Sequence, residues 1–173
     1  MNEAKEIYYL IIEKGKEFNL SHCGMFAMDT MRMETGYLHW GHDMSPEENQ
    51  YEAGLQFTIS YKKNIDFVGR ESLLKIKDKK NNKKLVMLVL QDSKPGEPLL
   101  LHDEPIYKDK EIIGRTTSGN YSFVYDKNLA FGYINIDLSI EELAKTSLYI
   151  EVEKKKYPTS IILKPLNNKN IKN

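Results

Sequence analysis

The chain has 173 residues, 40% of them apolar, and 25 Lys and Arg residues balance 25 Asp and Glu. The balance excludes a global basic footprint for nucleic acid. No apolar run approaches the roughly 20 residues of a membrane-spanning helix, and no basic segment followed by an apolar one marks a signal peptide. Cys23 is the single cysteine. It excludes an intramolecular disulfide and a cysteine-rich zinc site, fits a reducing, cytoplasmic setting, and reads as a small buried hydrophobe.

In chain order, residues 3–14 predict a helix, with Ala4, Ile7, Tyr8, Ile11 and Ile12 at helical spacing, Asn2 as its cap and Gly15 as its left-handed end. A second helix is expected from Met25 to Thr35, stopped by Gly36. Met25, Met28 and Arg32 share one of its faces; Phe26, Thr30 and Met33 share another. Residues 36–52 read as loop. In 54–61, Leu55, Phe57 and Ile59 alternate as in a strand. A short helix follows over Arg70–Lys77, opened by Gly69.

The run KDKKNNKK, 77–84, has no apolar residue and no aromatic interleaving, so it reads as a solvated linker rather than a nucleic-acid patch. Beyond it the period changes to two. LVMLVLQ, 85–91, predicts a buried strand. Pro105–Tyr107 and Glu111–Arg115 flank a hairpin turn at KDK, and Tyr121–Tyr125 and Leu129–Asn135 flank another at DKN. TSG, 117–119, reads as a turn. Ser139 and Glu142 form a capping box. Leu148, Ile150 and Val152, then Tyr157, Thr159, Ile161 and Leu163, alternate inward. Many short strands at close spacing imply a small barrel or jelly roll.

Three stretches carry a family resemblance: AMDTMRMETGYLHWGHDM at 27–44, EAGLQFTISYKKNIDFVGRESL at 52–73 and GRTTSGNYSFVYDKNLAFGYI at 114–134. In this order, ahead of a β-rich tail, they resemble the C-terminal part of the glycine cleavage T-protein, an aminomethyltransferase. They also resemble the folate domain of dimethylglycine and sarcosine dehydrogenases, to which the forms GYxxWGxD and DFVGRESL are closer. The resemblance covers about 25–165. It implies an α+β chain: 1–80 as the last part of an α+β folate-binding domain, and 81–173 as the C-terminal barrel.

The resemblance implies tetrahydrofolate as cofactor and one-carbon transfer in glycine or methylamine catabolism as function. It places Tyr37, Arg32, Glu34 and Trp40 at the folate. Each also has a structural reading. Tyr37 packs half-buried; Arg32 pairs with Asp29 three residues back, with Glu34 joining them; Trp40 anchors domain packing. Met28 departs from T-proteins that carry an arginine there. Spacing in HWGHD, with His39, His42 and Asp43, matches no metal-ligand pattern, and the family uses no metal. Glu71 is explained by the helix start. The ending Lys164–Asn168 lacks the family's aromatic.

The family's catalytic aspartate has no counterpart here, so no catalytic residue is assigned and the chain alone is expected to be inactive. A complementary N-terminal catalytic chain, a flavin-dependent amine oxidoreductase, or a second copy is the expected partner. The Ala4–Ile12 helix and the Tyr37–Trp40 segment are the expected contacts. The alternatives are a non-catalytic binding or assembly module, or a degenerate relative that has lost its folate site.

Overall fold

The computed structural model describes residues 2–63, 65–79 and 83–162. The cap role given to Asn2, the inward position of Leu163 and the 164–168 ending fall outside the described side chains. A helical first part precedes a closed six-stranded barrel.

Helix α1 spans Asn2–Gly15 and passes into a 3-10 turn, Lys16–Phe18. Gly15 is not its left-handed end. The chain turns at Asn19, φ 53°, because Leu20 folds back over Gly15: a Cβ there would lie 2.4 Å from the Leu20 side chain. Helix α2 spans Met25–Thr35. Gly36 ends it at φ 81°, where its N–H reaches the carbonyls of Arg32 and Met33, as a left-handed cap requires.

The strand expected at 54–61 is a 3-10 turn, Gln56–Thr58. Gly54 enters it at φ 71°, and the Thr58 hydroxyl donates back to the Leu55 carbonyl at 2.7 Å, a local bond that competes with strand pairing. Phe57 is 80% exposed, so the apparent alternation does not face a core within this chain. The described residues before 80 therefore carry no strand. Helix α3, Arg70–Lys77, starts after Gly69 at φ 89°.

Strands β1 (Lys83–Leu90), β2 (Pro105–Lys108), β3 (Glu111–Ser122), β4 (Lys127–Asn135), β5 (Leu148–Val152) and β6 (Lys155–Ile162) close in the order β1-β4-β3-β2-β5-β6. All neighbouring pairs are antiparallel. Helix α4, Ile140–Leu143, sits between β4 and β5; the Ser139–Glu142 box holds its start in both directions.

Two clusters explain why 85–90 is apolar without alternation. Val86, Leu88 and Leu90 enter the barrel core with Ile106, Ala130, Ile134 and Ile150. Met87 and Val89 face outward, where Met33 of α2 covers them together with Leu129 and Phe131. A strand buried on both faces loses its period-two signal.

Two sequence expectations change here. The TSG segment is not a turn: β3 runs unbroken from Glu111 to Ser122, and its register shifts between Thr116 and Ser118. That bulge re-aims two hydroxyls. The second hairpin turns over 123–126, with Asp126 at φ 55°, rather than at DKN. Lys77, Lys83 and Lys84 of the cationic run are tied down. Lys77 lies over the Tyr61 ring, Lys83 pairs with Glu48 at 2.8 Å, and Lys84 donates to the Ile136 carbonyl.

Candidate functional site

The site is built on the seam between α2, the loop 36–44 and β3. Asp43 is its centre. Its side chain is fully buried. The Arg32 guanidinium and the His39 backbone N–H, at 2.8 Å, donate to one carboxylate oxygen. The hydroxyls of Thr117 (2.6 Å) and Ser118 (2.7 Å) donate to the other. The β3 bulge turns both hydroxyls this way. A carboxylate buried without such donors would be prohibitively costly.

Arg32 spends most of its fork on this seam. Nε donates to Asp29 at 3.0 Å, Nη1 to Asp43 and to the Tyr37 carbonyl, and Nη2 to Ser118 at 2.8 Å. Its plane also lies 5.7 Å from the Phe131 ring centre. Further ties run in parallel. Thr30 donates to the Tyr121 carbonyl at 3.2 Å, Asn120 to the Phe26 carbonyl at 3.1 Å, and Tyr133 to the Asp43 carbonyl at 2.9 Å. Burial, then the carboxylates of Glu48, Asp43 and Glu52, hold the Tyr133 hydroxyl well above the usual tyrosine range, so it stays a donor.

The structure places the four candidate folate residues in three different settings. Arg32 and Tyr37 meet at an apolar cleft of about 650 Å3, shared with Cys23, Met25, Met28 and Met31. Tyr37 is 67% exposed. Trp40 is 63% exposed and stands apart from that cleft. Glu34 is buried and turned the other way: the Ser122 hydroxyl and Val124 N–H donate to it. It clamps α2 to the β3–β4 turn and does not join Arg32. Cys23 is exposed, not buried, because the cleft it lines is open.

Sequence spacing does not mark Asp43, Thr117 and Ser118 as a unit. The available signal is a lone Asp two residues after Gly41, and a Thr-Ser pair where strand spacing is interrupted. Among the described residues, no group of His, Cys, Asp or Glu is arranged to hold a metal, and no helix is long and apolar enough to cross a membrane.

Apolar surface is left open on the helical part. Ile7, Tyr8, Tyr9, Leu10 and Ile11 are each about half exposed. Six successive apolar residues, 7–12, wrap a helix completely, a pattern characteristic of buried helices.

Comparison with known proteins agrees with this architecture. Residues 1–63 match the family model described as the GCVT N-terminal domain. Residues 83–167 match the glycine cleavage T-protein C-terminal barrel domain. The human mitochondrial dimethylglycine dehydrogenase is 35% identical over 166 residues, 95% of this chain and 18% of that protein. An aminomethyltransferase of Symbiobacterium thermophilum is 35% identical over 134 residues, 78% of this chain and 35% of that protein. The chain therefore spans about a fifth to a third of the length of these relatives. In structure, the glycine cleavage system aminomethyltransferase T of Bartonella henselae superposes with a TM-score of 0.68 over 80% of this chain and 37% of its own, at 23% identity, which bears on the fold.

Proposed function

Because the chain belongs to the glycine cleavage T-protein family, we propose that it supplies one wall of a tetrahydrofolate site, in support of one-carbon transfer in glycine or methylamine catabolism. The observation that carries this reading is the α2 cleft. Asp43 locks α2 and the 36–44 loop to the barrel, and the lock leaves the Tyr37 ring free beside an open apolar surface.

The lining suits such a cofactor. A tyrosine face and the thioethers of Met28 and Met31 offer flat, adaptable contact to an aromatic ring system. Tetrahydrofolate would supply the amine nitrogen that accepts the one-carbon unit. Tyr37 stacks and orients, Met28 and Met31 exclude water, and Arg32 is a positioning residue that holds the Tyr37 carbonyl. No carboxylate or imidazole lines this cleft, so a general base must come from elsewhere. Glu34 acts through the fold, and Trp40 borders the partner side.

The division into 1–80 and 81–173 follows from the same reading. The partner is a complementary catalytic polypeptide of the family, a flavin-dependent amine oxidoreductase or a second copy of this chain; the exposed apolar girdle of α1 is the surface it covers. Grafting tests the whole reading. This chain replaces the matching stretch of the Symbiobacterium thermophilum aminomethyltransferase. Aminomethyl transfer to tetrahydrofolate is retained in the graft and falls at least tenfold with Tyr37→Ala, while the isolated chain releases no ammonia from an aminomethyl donor. A graft that folds, judged by its thermal transition, but no longer binds tetrahydrofolate would contradict it.

A further inference from the structure

Three imidazoles line a second cleft, which adjoins the first and shares Met25 and Arg32 with it, and the proposed folate wall uses none of them. His39 and His42 come from the 36–44 loop, with ring centres 4.6 Å apart. His102 comes from the connection between β1 and β2, its ring 6.4 Å from that of His42. The cleft has a volume of about 270 Å3; Arg32 and Asn120 also line it.

All three rings line one cleft without forming a converging ligand set. A metal ion at about 2.0–2.1 Å from each nitrogen needs convergence, and no such group exists among the described residues. An oxyanion does not. Its oxygens are spread out, and each accepts a separate hydrogen bond. His102 Nδ1 lies 3.0 Å from Asp103 Oδ2. An ionised carboxylate only accepts, so Nδ1 carries the hydrogen, and Nε2 can donate only in the imidazolium form.

The carboxylates nearby are already engaged. Asp29 on α2 accepts from Arg32, Asp103 also faces Arg115 at 3.3 Å, and Asp43 beneath the floor is saturated by its four donors. We propose that this cleft is a small-oxyanion subsite, in which a phosphate or carboxylate group is held by His39, His42 and His102 with Arg32 and Asn120 at its floor.

The test uses the full chain with labelled imidazole nitrogens, titrated separately with inorganic phosphate and with succinate and followed by NMR. His22, stacked on Tyr8 at 5.9 Å and remote in sequence from the cluster, is the internal control. The expected result is a saturable response of His39, His42 and His102 to one or both ions, with no response of His22. Because the three rings are exposed, His42→Ala/His102→Ala keeps the fold and weakens binding at least tenfold. Phosphate alone or succinate alone identifies the class of anion. No saturable response to either ion, an equal response of His22, or unchanged affinity in the double variant overturns the proposal.

Discussion

Replacing Asp43 probes the seam on which the candidate site rests. In Asp43→Ala the guanidinium of Arg32, whose side chain is 14% exposed, keeps only Asp29 as an ionic partner. The His39 N–H and the Thr117 and Ser118 hydroxyls lose their acceptor as well. Breaking a buried pair by removing one partner costs about 3–5 kcal/mol. The hydroxyls can rotate toward other acceptors, so they add little beyond that range. Asp43→Asn keeps one acceptor oxygen but points an amide at hydroxyl donors, and should cost about 2 kcal/mol. The double variant Arg32→Met/Asp43→Leu removes both charges and should lose less than Asp43→Ala alone. Urea unfolding followed by circular dichroism reads these values as shifts in midpoint at constant slope. For a chain of this length the alanine variant should also melt roughly 10 °C lower. A loss below about 1 kcal/mol in Asp43→Ala would refute the seam as the source of the site's rigidity.

Gly114→Ala would place a Cβ 1.9 Å from the Tyr133 carbonyl oxygen across the β3–β4 pair; it should cost about 3 kcal/mol or more by the same unfolding assay. Tyr51, raised by burial and then by the Tyr61 hydroxyl at 2.7 Å, is pushed up to about 12. Its neutral form is favoured in the fold, so its contribution is present below pH 10.0 and lost as pH rises through about 12. Ultraviolet titration should show that step falling in Tyr61→Phe. Burial raises Glu48, but hydrogen bonds from Lys83 and Ser45 outweigh it and hold the carboxyl below its ordinary 4.5. Stability from Glu48 is therefore present above pH 4.5 and lost on acidification, and Glu48→Gln should flatten the acid limb of the stability profile. Ser139→Ala removes the box at α4 and should cost about 1 kcal/mol in thermal stability. Sedimentation of the purified chain should show self-association that Ile7→Glu/Ile11→Glu abolishes; a monomer at high concentration would speak against a covered α1.

Much of the barrel could be read in advance, because period-two alternation at Leu148–Val152 and Tyr157–Ile161 and turn residues such as Asp109 are local signals. The Ser139–Glu142 box and the Gly36 stop are local in the same way. The misses are positions where partners lie far along the chain. Leu55, Phe57 and Ile59 alternate, yet no strand among the described residues pairs with them, and Gly54 with Thr58 closes a turn instead. The TSG segment carries turn composition, but β4 pairs with Ser118 and Gly119 and leaves Thr117 as a bulge. In the site, Arg32 with Asp29 was legible as an i,i+3 pair. Its stronger tie to Asp43 and Ser118 depends on the bulge, 86 residues away in the case of Ser118. Glu34 was grouped with Arg32 because they are neighbours in sequence; helix geometry sends it to Ser122 on the barrel side.

Trp40 is the only tryptophan and is 63% exposed on the loop that Asp43 holds, next to the loop segment that carries Tyr37. It stands outside the cleft but three residues from Tyr37, so its fluorescence is a probe of a folate ring bound beside this loop. Titration of the full chain with tetrahydrofolate should give saturable quenching that Tyr37→Ala weakens at least tenfold, with the melting transition of the variant unchanged. Quenching that rises linearly without saturation, to the same degree in the chain and in Tyr37→Ala, would contradict a folate wall on α2.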